Sequence, residues 1–163
     1  MPNGHLNPGS VSPVRIADIT DGTSNTMIFG ERAHGKFSST PDNGNPPTTD
    51  LYDWNWWTSG NYGDTVFTTL FGLNPKTDTN QYDNFSDQGD TFVISASSFH
   101  PGGANFAFSD GSVRFLKDTI NTWNPALITQ DGNGFFQVGN QKLGVYQALS
   151  TRNGGEVISA DSY

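Results

Sequence analysis

The sequence has no cysteine, and only two of its sixteen acidic residues are glutamates. The lack of cysteine excludes disulfides, a thiolate nucleophile and cysteine-ligated zinc. The eight lysines and arginines form no basic run and the net charge is −8, which argues against nucleic acid or anionic lipid as a partner. No apolar run approaches the roughly 18 residues that a membrane-spanning helix needs, so no membrane span is expected.

What the sequence does contain is 21 aromatic residues, 19 glycines and nine prolines in 163 positions. Aromatic side chains bury large areas, whereas glycine, proline and aspartate are typical of turns. This composition predicts one globular domain over residues 1–163, of the α+β class and mostly antiparallel β with short helices. Residues 1–14 are predicted to be an irregular lead-in, and residues 35–50 and 74–90 to be surface loops.

A β-hairpin is predicted around the Asp-Gly pair at 110–111, because alternating apolar runs flank a pair that favours two-residue type I′ loops. A two-residue loop would place Phe106 opposite Phe115 on an apolar face of the sheet. The other face would be mixed, with Arg114 opposite Ala107.

The rest of the chain shows weaker periodicity, with short segments separated by turn residues. The predicted elements are strands at 26–29, 51–57, 91–95 and 156–159, and a short helix at 144–152.

Three stretches carry a family resemblance. His100, nine further residues and then Asp110-Gly111 resemble the H-X9-DG signature of the prepilin-type family DUF1559. Residues 19–31, ITDGTSNTMIFGE, are similar to a second block of that family, and residues 147–163 resemble its C-terminus. The resemblance implies a pilin-like or pseudopilin-like head on an exported surface or secretion assembly, extracytoplasmic or at the cell surface, with other pilin-like subunits as partners.

The family usually opens with a prepilin processing site and a long apolar helix, whereas residues 1–10 are polar and rich in turn formers. We therefore expect the chain to be the C-terminal part of the globular head, without the long N-terminal helix. Without that helix, a soluble hydrolase of small esters or lactones is the alternative function.

A calcium site is predicted from oxygen-bearing side chains, since hard cations prefer carboxylate and amide oxygens. Related pseudopilins hold calcium in a loop of the head, so the resemblance points the same way. No EF-hand spacing is present, and a solvated loop is the alternative interpretation. The candidate ligands, not all of which would be needed, are Asp78, Asp83, Asp87, Asp90, Asp131 and Asn133.

If the protein is an enzyme, its candidate catalytic residues are His100, Asp110 and Glu31. No G-x-S-x-G motif is present, which disfavours a serine hydrolase. The enzyme hypothesis is therefore a calcium-dependent hydrolase in which the metal polarises a carbonyl and His100 or an acidic side chain activates water. The alternative for His100 is a structural imidazole. Asp110 is expected roughly 20–25 Å from His100 along a straight strand.

Glu31 and His100 are predicted to share one polar cluster, because each lies beside an apolar run that would otherwise leave it unsatisfied. Arg114 is a possible third member that would keep Glu31 ionised.

Trp54, Trp56 and Trp57 form an aromatic group within four positions. A carbohydrate-binding surface is the second alternative function, because sugars stack on flat aromatic faces. Packing of these rings in the core is the other interpretation.

Overall fold

The structure is a computed structural model, and it describes residues 13–33, 36, 65–75, 95–132, 135–156 and 158–159. Its main sheet is antiparallel, in the order β1-β2-β3. These strands are β1 (Met27–Gly30), β2 (Gly103–Phe108) and β3 (Val113–Lys117). A second, two-stranded sheet pairs β4 (Thr129–Gln130) with β5 (Phe136–Gln137).

The helices are short. In the described part of the chain the α-helix is α1 (Val145–Ala148), and single 3-10 turns occur at Ile16–Asp18, Thr23–Asn25 and Pro125–Leu127. The predicted α+β class, mostly antiparallel β with short helices, is confirmed. Within the described ranges, no helix has the length and apolar character needed to cross a membrane.

The loop of the β2–β3 hairpin has three residues, Ser109 to Gly111, so the predicted two-residue loop is wrong. Phe108 N–H donates to the carbonyl of Ser112 and Gly111 N–H donates to the carbonyl of Phe108, both at 2.9 Å. Gly111 has a φ of +85°, whereas Asp110 is not among the residues with positive φ. A type I′ turn would need positive φ at both residues, but a three-residue loop needs it only at the glycine.

The extra loop residue shifts the strand pairing by one position. Phe106 lies opposite Arg114, and Asn105 lies opposite Phe115. Phe106 is fully buried, whereas Phe115 is 45% exposed, so the two rings occupy opposite faces of the sheet and the predicted pairing is wrong. We call the face of Phe106 the inner face and the face of Phe115 the outer face.

The hydrophobic core lies on the inner face. The Phe106 ring packs edge to face against Phe67 and against Tyr146 of α1, with centroid distances of 6.1 Å in both cases. The buried members of this core are Met27, Leu73, Ala96, Ala104, Phe106, Phe108, Leu116, Ile120, Tyr146 and Leu149.

Helix α1 ends at Ala148, four residues before the predicted end. The Leu149 carbonyl accepts a hydrogen bond from Met27 N–H of β1 at 2.8 Å. The Arg152 carbonyl likewise accepts from Thr20 N–H at 2.7 Å. These long-range bonds hold residues 149–152 against the start of β1, and a continuing helix would have to break them.

The other predicted segments have different outcomes. The strand predicted at 156–159 is wrong, because residues 156, 158 and 159 are not in a strand. The strand predicted at 51–57 lies outside the described residues, and so do residues 91–94 of the strand predicted at 91–95. The same holds for nearly all of the lead-in at 1–14 and of the loops at 35–50 and 74–90.

Candidate functional site

Two of the stretches that carry the family resemblance, residues 19–31 and 100–111, lie side by side in the fold. Near the hairpin tip, Ser109 N–H and its hydroxyl both donate to the carbonyl of Thr26, at 2.9 Å and 3.0 Å. Near the hairpin base, Glu31 N–H donates to the carbonyl of Asn105 at 3.3 Å. The end of the block at residues 19–31 therefore runs along β2 from the tip of the hairpin to its base.

The side chain of Glu31 takes the place of a main-chain acceptor at the end of β1. The carbonyl of Glu31 turns away from the sheet and accepts from Ser97 N–H at 3.0 Å. Its carboxylate instead receives Asn105 N–H at 2.8 Å and the Asn105 side-chain amide at 3.0 Å. One carboxylate thus extends the β1–β2 pairing by a residue.

His100 completes this cluster, as predicted. Its Nε2 lies 3.2 Å from Oε1 of Glu31, with the two side chains 56% and 33% exposed. Ser98 joins them, since its hydroxyl bonds to the Glu31 carboxylate and accepts from His100 N–H at 3.0 Å. We call Glu31, Asn105, Ser98 and His100 the Glu31 cluster. The predicted contact between Glu31 and His100 is confirmed.

The surroundings of Glu31 hold it in the ionised form. Burial raises the pKa of Glu31, but the hydrogen bonds from Asn105 and Ser98 and the nearby charge of His100 outweigh that effect. The net pKa lies below its ordinary value of 4.5. The cluster therefore contains a carboxylate that accepts several hydrogen bonds at neutral pH.

Arg114, the suggested third member, lies elsewhere. Its guanidinium is 3.8 Å from Asp110 and stacks over the Phe108 ring at 4.5 Å from the centroid. The shift of one residue in the hairpin puts Arg114 on the inner face, opposite Phe106, whereas Asn105 of the Glu31 cluster lies on the other face. The suggestion that Arg114 keeps Glu31 ionised is therefore wrong.

Asp110 lies at the hairpin tip, away from the other two candidate catalytic residues. Its Oδ1 accepts from Ser112 N–H at 2.9 Å and from the Ser112 hydroxyl at 2.7 Å, and its Oδ2 faces Arg114. These contacts stabilise the loop. Of the three candidates, the structure brings Glu31 and His100 together and leaves Asp110 at the far end of β2.

Next to the cluster is a shallow depression of about 310 Å³. Ser98 at its edge is only 4% exposed, and its hydroxyl is bonded to a carboxylate. Phe99 is 72% exposed. The residues that line the depression are Glu31, Arg32, Ala33, Ser97, Ser98, Phe99 and His100.

The main chain of Ser98 contacts two further polar side chains, those of Asn74 and Lys36. The Ser98 N–H donates to Oδ1 of Asn74 at 2.8 Å, and the Lys36 amino group donates to the same Oδ1 at 2.6 Å. The Lys36 amino group also donates to the Ser98 carbonyl. Sequence reasoning missed Asn105, Asn74 and Lys36. The sequence signal that could have pointed to this site is the polar side chain of Asn105 inside an otherwise apolar strand.

One of the predicted calcium ligands can be located. Asp131 accepts from Phe135 N–H at 3.0 Å and from the Gln137 side chain at 3.3 Å, and so closes the β4–β5 turn. In the part of the chain that the structure describes, no three His, Cys, Asp or Glu side chains are grouped in a way that could hold a metal ion. Asp78, Asp83, Asp87, Asp90 and Asn133 lie outside that part, as do Trp54, Trp56 and Trp57.

Comparisons with known proteins agree with the resemblance seen in the sequence. A family model described as "Protein of unknown function (DUF1559)" matches residues 2–122. This range includes both blocks, from Ile19 to Glu31 and from His100 to Gly111, but not the C-terminal stretch 147–163. No curated protein matches the sequence, and no solved structure matches it.

Proposed function

Because the chain belongs to the family described as DUF1559, we propose that it forms a pilin-like or pseudopilin-like domain of an exported surface or secretion assembly. One observation carries this proposal: the signature side chains join strands to one another. Glu31 and His100 tie the base of the hairpin to β1, and Asp110 and Gly111 form its tip. Side chains whose polar atoms are occupied in bonds between strands favour a structural role over a catalytic one.

The outer face of the sheet offers a surface for subunit packing. Phe29, Ala107 and Val113 form one cross-strand row, with Phe29 71% and Val113 66% exposed. Phe115 lies on the same face and is also exposed. Exposed apolar groups of this kind are typical of surfaces that bind another protein, and the proposed partners are other pilin-like subunits.

Cell fractionation tests the proposed assembly. An antibody against this chain should detect the native protein in the surface or sheared-filament fraction of its source cells. A cytoplasmic enzyme serves as the fractionation control. Recovery of the protein only with that enzyme would contradict the proposal.

The hydrolase alternative has one observation in its favour, the His100–Glu31 pair beside the depression. Two features speak against a serine nucleophile there. Ser98 is almost fully buried, and its hydroxyl bonds directly to Glu31, whereas a nucleophilic serine needs a histidine as its base. Hydrolysis of simple esters or lactones that His100→Ala abolishes, with the melting temperature unchanged, would favour the hydrolase.

We include calcium binding in the proposal because the sequence between residues 74 and 90 is rich in aspartate. If calcium binds only the folded state, millimolar calcium should raise the melting temperature by mass action, and a chelator should lower it. Magnesium at the same concentration is the control for ionic strength. A melting temperature that responds to neither calcium nor chelator would rule this part out.

A further inference from the structure

Lys36 and Asn74 are 38 positions apart in the chain, yet their side chains are in contact. The amino nitrogen Nζ of Lys36 lies 2.6 Å from the amide oxygen Oδ1 of Asn74. We propose that these two side chains become joined by an intramolecular isopeptide bond between Nζ of Lys36 and Cγ of Asn74. This inference goes beyond the proposed function and does not depend on it.

The geometry places the nucleophile beside the carbon it would attack. A carbonyl bond is about 1.23 Å long, so Nζ lies within about 4 Å of Cγ. The reacting atoms of a near-attack arrangement are separated by about 3–3.5 Å, so a small movement is enough. The Ser98 carbonyl also accepts from Nζ and restrains the lysine next to the amide.

The surroundings favour both partners in the reaction. Burial lowers the pKa of the Lys36 amino group, and the charge of Asp118 offsets this only in part. A lowered pKa increases the fraction of neutral, nucleophilic amine. On the other partner, Ser98 N–H donates to Oδ1 of Asn74 at 2.8 Å. That donor polarises the amide carbonyl and would stabilise the negative charge that develops on Oδ1.

The backbone of Asn74 is held in an unusual conformation. Its φ is +48°, and among the described residues no other non-glycine residue has a positive φ. Its N–H donates to the carbonyl of Ala96 at 3.1 Å, and the next residue, Pro75, is buried. A sparsely populated conformation persists only when its surroundings fix it, so these contacts present the amide to Lys36.

The reaction balances without a cofactor or an oxidant. The neutral amine attacks Cγ, a C–N bond forms, and the carbonyl electron pair moves to Oδ1. When the carbonyl re-forms, the bond from Cγ to Nδ2 breaks. Nζ gives up one proton and Nδ2 gains one, so ammonia leaves and a secondary amide remains between Lys36 and Asn74.

Intact-mass spectrometry of the purified full chain tests the proposal. The loss of ammonia should lower the mass by about 17 Da relative to the sequence. Peptide mapping should then yield one branched peptide that contains both Lys36 and Asn74. Wild-type protein with its full sequence mass would show that the contact is only a hydrogen bond, and would overturn the proposal.

Matched variants distinguish this bond from cyclisation of an asparagine, which also releases ammonia. Lys36→Met should restore the full mass. Asn74→Gly should do the same, because glycine accepts the positive φ but lacks the amide. Lys142→Met replaces an exposed lysine and should keep the mass deficit. A deficit that persists in Lys36→Met would assign the lost ammonia to another residue and overturn the proposal.

Discussion

Replacing Phe106 by alanine is expected to lower the free energy of unfolding by about 3–5 kcal/mol, the usual cost of removing a buried phenylalanine. The Phe106 ring is fully buried and packs against Phe67 and Tyr146, so it joins β2 to α1 and to the segment at 65–75. Unfolding in urea, followed by tryptophan fluorescence, measures this loss.

Phe115→Ala is the matched control, because it removes the same ring from the outer face of the same hairpin. Since Phe115 is 45% exposed, its loss is expected to cost less than about 1.5 kcal/mol, well below the cost at a buried site. In the pairing predicted from the two-residue loop, both rings would lie on one apolar face. Equal losses of stability for the two variants would contradict the observed register.

Glu31→Ala is expected to lower the free energy of unfolding by about 2–3 kcal/mol, in the range for hydrogen bonds to a charged group whose partners are left unsatisfied. Asn105 N–H, the Asn105 side chain and the Ser98 hydroxyl all lose their acceptor. Glu31→Gln keeps one acceptor oxygen and should give a smaller loss. Chemical denaturation at pH 7 measures both variants, and a wild-type stability for Glu31→Ala would contradict the role given to the carboxylate.

The same carboxylate should make stability depend on pH. The pKa of Glu31 is lower in the folded protein than its ordinary value of 4.5, so the unfolded chain binds the proton more readily. The stabilisation is therefore fully present above pH 4.5 and is lost as the pH falls through the lower, folded-state pKa. Below pH 4.5 the wild type should lose stability more steeply than Glu31→Gln, and parallel pH profiles would contradict this expectation.

The hairpin shows how far the sequence could be used to predict the fold. Its position and its inward Phe106 and Phe108 follow from apolar alternation around Asp110-Gly111. The register does not, since Asp-Gly is compatible with loops of two or three residues. The choice depends on Ser109, whose N–H and hydroxyl are both bound by Thr26, 83 positions away. Local turn chemistry contains no information on that contact.

The Glu31 cluster, too, was predictable only in part. A charged residue at the end of an apolar strand needs a partner, so the pairing of Glu31 with His100 was predictable. The role of Asn105 was not, because a carboxylate that takes the place of a main-chain acceptor leaves no periodic pattern in the sequence. Lys36 and Asn74 lie in segments without periodicity, so only the folded chain shows that they meet.

The carboxylate of Glu31 joins the two signature blocks, and a double-mutant cycle is the sharpest test of this role. Glu31→Ala, Asn105→Ala and the double variant should show a coupling free energy of about 1–2 kcal/mol, because the two residues share hydrogen bonds. A second cycle of Glu31→Ala with Asp110→Ala, at the distant hairpin tip, should be additive. Additive losses for Glu31 and Asn105 would contradict the claim that this carboxylate joins the blocks.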